Sequence, residues 1–184
     1  MRRVSALLGG VCVATMAWTG CGSGTGLSPD AMPAGTCGAD VPAGQACNNL
    51  VNSAAAVTPT CTTGILPAGQ GGSIVSGTYH FTAQTYYNVS SCPTTGVAET
   101  LVLAGGCLQV VSGEPLAATA SATYVVQGNQ LTMTTTCVDT GGLSGMLDTP
   151  TKTFTATSTT LTIFTLNSAV GNANPDRVEV FTKS

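Results

Sequence analysis

The chain has 184 residues, of which Lys and Arg contribute 5, Asp and Glu 8 and His 1, so 7% are charged while 43% are hydrophobic. That balance excludes a charge-rich disordered chain and a basic nucleic-acid binder, and one His, two Lys and three Arg leave most catalytic chemistries without their groups. Polarity rests on hydroxyls and amides instead, with 31 Thr and no formal charge between Asp40 and Glu99.

Met1-Arg2-Arg3 followed by the apolar run Val4 to Trp18 reads as a secretory signal over residues 1–20, too short for a spanning helix. Trp18-Thr19-Gly20-Cys21 resembles the lipobox of bacterial lipoproteins, with Trp18 in place of the usual Leu. The resemblance implies cleavage before Cys21, acylation of its thiol and attachment to a membrane without spanning it. Gly22 after the Cys is similar to lipoproteins sent to the outer membrane, so the expected location is the cell envelope. Without residues 1–20 the formal charge is −5, from three cations and eight acids, which gives no electrostatic reason to bind nucleic acid. Residues 21–36, rich in Gly, Ala, Pro and Ser, read as a flexible tether, and 37–70 as a Cys-containing extension packed on the domain, with a short helical turn around Ala46 to Val57.

The texture changes near residue 71, and 71–184 reads as an all-β domain. Ile74 to Tyr87 alternates apolar Val75, Tyr79, Phe81, Ala83 and Tyr87 with polar Ser76, Thr78, His80, Thr82 and Gln84, the period of two of a half-buried strand. Val97 to Ala104, Cys107 to Ser112, Ala118 to Gln127, Gln130 to Cys137, Thr151 to Ala156, Thr160 to Leu166 and Arg177 to Lys183 follow, with hairpin turns at Gly105-Gly106 and Gly128-Asn129. Leu131, Met133 and Thr135 alternate with Gln130, Thr132, Thr134 and Thr136, and Thr is read as the water-facing residue throughout. Eight antiparallel segments predict a small up-and-down barrel, with a β-sandwich as the alternative.

Cys12 falls in the signal and Cys21 at the lipid site, leaving Cys37, Cys47, Cys61, Cys92, Cys107 and Cys137. An even number in an exported chain predicts disulfides, and no spacing is tight enough for a metal site, so neither metal nor cofactor is expected.

Gly77-Thr78-Tyr79, the stretch Tyr124 to Thr132 and the pair Leu161-Thr162-Ile163 and Val180 to Lys183 resemble the opening strand, middle hairpin and last strands of bacterial lipocalin-like domains. Tyr79 replaces the family's Trp. The whole chain is similar in texture to secreted lipoproteins of myxobacterial type. The resemblance implies a lipocalin-like barrel, and its up-and-down topology suggests the pairs Cys92–Cys137, Cys61–Cys107 and Cys37–Cys47, from which strand ends can meet.

Tyr79, Phe81, Tyr124, Met133, Phe154, Leu161 and Ile163 fall on strand faces that would fill a barrel core or line a cavity for an apolar ligand, with small residues such as Ala120 and Ala122 leaving room. Asp139-Thr140-Gly141 matches the aspartic-protease triplet in one copy where the chemistry needs two, and Asp139 reads better as a turn residue. His80 has no recognisable nucleophile and reads as a surface His. The expected function is therefore non-enzymatic: a lipid-anchored envelope barrel binding a small apolar molecule or lipid, or alternatively a structural or protein-interaction module with a filled core.

Overall fold

Thr, Val and aromatic residues in alternation dominate the observed elements, as β-branched side chains suit a pleated surface. The computed structural model describes residues 37, 46–113, 118–139, 151–166 and 175–184. The proposed signal, Cys21 and the tether lie outside the described residues, as does the loop after Asp139.

Among the described residues nine strands form one sheet: β1 (Thr60–Thr62), β2 (Gly77–Tyr87), β3 (Ala98–Ala104), β4 (Cys107–Gly113), β5 (Ala118–Gln127), β6 (Gln130–Val138), β7 (Thr151–Ala156), β8 (Thr160–Thr165) and β9 (Arg177–Lys183). Strands β2 to β9 pair in sequence order, and β9 pairs back with β2, so eight antiparallel strands close an up-and-down barrel with β1 as an addition. Closure settles barrel over sandwich and leaves no open edge among these eight. Tight turns at Gly105-Gly106 and Gly128-Asn129 serve one end, with positive φ at Gly105, Gly106 and Gly128. Longer connections, including 88–97 and 166–176, serve the other.

Inward positions of all eight barrel strands meet in one cluster: Tyr79 and Phe81 (β2), Leu101 and Leu103 (β3), Leu108 and Val110 (β4), Ala120 and Ala122 (β5), Leu131 and Met133 (β6), Phe154 (β7), Leu161 and Ile163 (β8) and Phe181 (β9). The Phe81 and Phe181 rings stack tilted at 5.4 Å between centroids, a favourable aromatic geometry.

Two bulges break the simple alternation. Between Phe81 and Ala83 the register with β9 shifts, and the extra residue, Thr82, bonds outward to Val180 O and to the Thr182 hydroxyl. Beyond it parity inverts, so Gln84, expected on the polar outer face, is buried inside. In β5–β6, Ser121 faces Cys137 while Ala122 faces Thr135, which turns Cys137 onto the outer face beside Ser121.

Residues 46–62 form a strap across the outside of the barrel, and the expected helical turn at Ala46 to Val57 is absent, because its amides bond the barrel instead of one another. On β5, Thr119 Oγ1 accepts from Cys47 N and Ser121 Oγ donates to Cys47 O. Asn48 Nδ2 donates to Val110 O on β4 and Ala120 O on β5. Asn52 Nδ2 donates to Ala98 O and Ser53 N to Thr100 Oγ1, both on β3. Asn48 and Asn52 also accept from Leu50 N and Ala54 N, two successive Asx turns that preclude a helix. Val57 then bridges Val97, and β1 runs parallel to β2 from Thr85 to Tyr87, where β3 no longer pairs. Thr100 and Thr119, read as water-facing, are therefore buried under the strap together with Ser121.

The strap also corrects the disulfides. All six cysteines are bridged, but as Cys37–Cys107, Cys47–Cys137 and Cys61–Cys92, with Cα–Cα distances of 5.4, 5.6 and 5.8 Å. The suggested pair Cys61–Cys107 needs Cys61 at the start of the first barrel strand. It lies instead level with Tyr86 near the end of that strand, since residues 63–76 still have to return before β2 begins. Cys47 crosses β5, within reach of the re-aimed Cys137. Each closure stabilises by about 2–4 kcal/mol in the chain-entropy picture.

Candidate functional site

Among the described residues, the barrel interior divides into an apolar middle and a charged end. The second bulge-shifted layer of β2 starts the charged end: Gln84 pairs with Glu179 of β9, which pairs with Ile163 of β8. One layer further, Tyr86 pairs with Arg177, which pairs with Thr165. Glu99 enters from β3, two residues before Leu101 on the same face, and Lys152 from β7, two residues before Phe154. Glu99, Lys152, Arg177 and Glu179 are only 6%, 2%, 7% and 5% exposed. Lys152, Arg177 and Lys183 are the sole cationic residues after residue 20, so two of three are placed inside a barrel.

Arg177 Nε donates to Glu179 Oε1 at 2.9 Å, and Gln84 Nε2 donates to the same oxygen at 3.3 Å. Among the described residues, four buried polar atoms, Gln84 Oε1, Glu99 Oε1, Thr165 Oγ1 and Glu179 Oε2, have no hydrogen-bond partner. Native interiors hold few such atoms, and each carries a desolvation cost of about 1–3 kcal/mol. Burial first, then repulsion from Glu179, pushes the Glu99 carboxyl up to about 8 against the pull of Lys152 and Arg177. Burial likewise raises the Tyr86 hydroxyl, with Arg177 opposing and Glu179 adding. Burial thus favours the neutral acid form of Glu99, beside the hydrogen-bonded Glu179–Arg177 pair. Convergent polar groups with perturbed ionisation, at the barrel end with the longer connections, are the features expected of a ligand site.

Of the residues proposed to line a cavity, Tyr79, Phe81, Met133, Phe154, Leu161 and Ile163 are buried in the central cluster, packed on one another. Tyr124 is half-buried against its edge. Tyr79 donates its hydroxyl to Val75 O at 2.5 Å. His80 stands on the outer face, half-buried, with Nδ1 3.4 Å from Thr100 Oγ1. It lines a cleft of about 390 Å³ with Leu50, Val51, Thr78, Val102 and Ser184. Asp139 donates its amide to Thr119 O at the end of β6, while Thr140 and Gly141 lie outside the described residues. No three metal-binding side chains cluster among the described residues.

Sequence reading missed the charged end entirely. Gln84 was assigned to the wrong face because the bulge at Thr82 is silent in the alternation, and Glu99, Lys152, Arg177 and Glu179 were not singled out. A signal was present: in a chain this poor in charge, Arg177-Val178-Glu179 alternates on a strand whose next inward residue is Phe181. Comparison with protein-family models, curated proteins and solved structures finds no match to the chain.

Proposed function

We propose that the protein is a lipid-anchored, non-enzymatic barrel of the cell envelope that holds a small ligand at the charged end of its interior. The observation that carries this reading is the set of four partnerless buried atoms on β2, β3, β8 and β9. A folded chain gains nothing from orphaned acceptors, whereas a ligand that supplies donors repays their desolvation. The apolar layer of Phe81, Phe181 and Leu161 adjoins this end and suits an apolar portion of the same molecule. Anchoring rests on the signal-like residues 1–20 and the lipobox-like Gly20-Cys21. The lipocalin-like resemblance is consistent with ligand binding inside a barrel.

A second reading, a structural or protein-interaction module, draws on the packed middle, where Tyr79, Phe154 and Phe181 are fully buried. Native mass spectrometry of the full chain extracted from its own envelope separates the two. A discrete small-molecule adduct, on protein whose lipid is lost in Cys21→Ser, supports the ligand-binding reading. Anchored protein that is repeatedly free of adducts supports the structural one. Protein that partitions into the soluble fraction with Cys21 intact would contradict anchoring in either form.

A further inference from the structure

We propose that the charged end of the barrel is a site for a primary ammonium group, taken up in exchange for the proton of Glu99. The inference rests on the ligand-binding reading above and names its ligand class.

Three of the four orphan atoms, Gln84 Oε1, Glu99 Oε1 and Glu179 Oε2, can only accept when the carboxyls are ionised, and Thr165 Oγ1 can do either. Their residues are 6%, 6%, 5% and 1% exposed, each more than nine-tenths buried. They come from four different strands and share the inward face: Gln84 and Glu179 are direct cross-strand partners, Thr165 pairs with Arg177 one layer on, and Glu99 precedes the inward Leu101. An alkylammonium head group offers three N–H donors and no acceptor, the complement of this set. A carboxylate or phosphate would add acceptors beside Glu179. The orphan atoms are shut off from solvent, which favours a small head group over a polyol.

Charge conservation supports the exchange. The groups facing Glu99 are Tyr86 of β2, Lys152 of β7, Arg177 and Glu179 of β9, and the uncharged Thr165 of β8 and Ser112 of β4. With Glu99 protonated, the formal charges of these groups sum to one positive charge. With Glu99 ionised and an ammonium bound, they again sum to one. The O–H bond of Glu99 breaks, its electron pair stays on the carboxylate, the proton leaves to the buffer and the cation takes its place. Burial keeps that proton on Glu99 up to about pH 8, so at pH 7 the exchange is nearly complete for each ligand bound.

Titration calorimetry of the full chain with methylammonium and n-butylammonium chloride, in two buffers of different ionisation enthalpy, tests this directly. Close to one proton is released per ammonium at pH 7, and affinity rises about tenfold per pH unit below pH 8 and levels off above it. Glu99→Gln, which keeps the neutral shape, melts no lower than the parent at pH 7 yet binds at least about tenfold more weakly and releases no proton. Amine binding without proton release in the parent protein overturns the exchange, whether or not the variant folds. Binding of glycerol, acetate or sodium ions in place of the amines overturns the ammonium assignment and leaves a ligand site. No response to any of them overturns the assignment and the ligand-binding reading together.

Discussion

Glu99 is a carboxyl almost wholly removed from water, 6% exposed. Its carboxyl is raised from 4.5 to about 8, chiefly by burial. Between those values the folded chain keeps a proton that the unfolded chain has released. Raising the pH across that window therefore favours unfolding, by up to about 1 kcal/mol per pH unit, and the loss is complete above the folded value. Thermal melts should show the parent protein losing stability between pH 5 and pH 8.5, while Glu99→Gln, which has no proton to lose, stays level. Parallel curves for the two proteins would mean that Glu99 is solvated. Arg177 gives a second handle on the same cluster. Arg177→Met leaves Glu179 buried without its 2.9 Å partner, which should cost about 3–5 kcal/mol in denaturant melts. A cost under about 1 kcal/mol would place the pair in water.

At the scale of the element, the strap is held by side chains as much as by disulfides. Asn48 and Asn49 are adjacent and chemically identical, yet Asn48 bonds Val110 O and Ala120 O while Asn49 is exposed. Asn48→Ala should destabilise by about 2–3 kcal/mol and Asn49→Ala by less than about 0.5 kcal/mol, measured by urea unfolding; equal effects would show that the strap is not docked. Gly69 is the other constrained point, since a Cβ there would lie 2.4 Å from Phe154 N and O on β7. Gly69→Ala should cost about 2–4 kcal/mol or detach this segment, visible as fast hydrogen exchange at Gly71, whose amide bonds Phe154 O.

These elements also show what the amino-acid sequence makes legible. Strands β5, β7 and β9 are found at their expected bounds, because alternation over a two-sided wall is a local signal. Eight such segments predict a small antiparallel barrel or sandwich, and only the pairing of β9 back onto β2 settles the barrel. The bulge at Thr82 and the one opposite Ser121 are not local signals, since one extra residue inverts every later side chain without altering composition. Without them Gln84 points outward and Cys137 inward, so both the charged end and the true disulfides are hidden. The strap is equally opaque, because Asn48 is satisfied by carbonyls 62 and 72 positions away in sequence and Asn52 by one 46 positions away.

For the whole molecule, scarcity of charge acquires a location. Of the eleven charged residues after residue 20, four meet inside the barrel. The outer wall is instead stabilised by Thr hydroxyls, the strap and three cross-links, Cys37–Cys107, Cys47–Cys137 and Cys61–Cys92. Under the proposed reading, the cross-links fit an oxidising compartment and the charged end is where a ligand would enter the rigid wall. The most direct measurement is a carbon-13 titration of the Glu99 side-chain carboxyl by NMR on the intact disulfide-bonded chain. A midpoint near pH 8, moving down when an alkylammonium is added, is the result that a buried acid at the charged end of the barrel requires. A midpoint near 4.5, unmoved by amines, would place Glu99 in water and contradict the site.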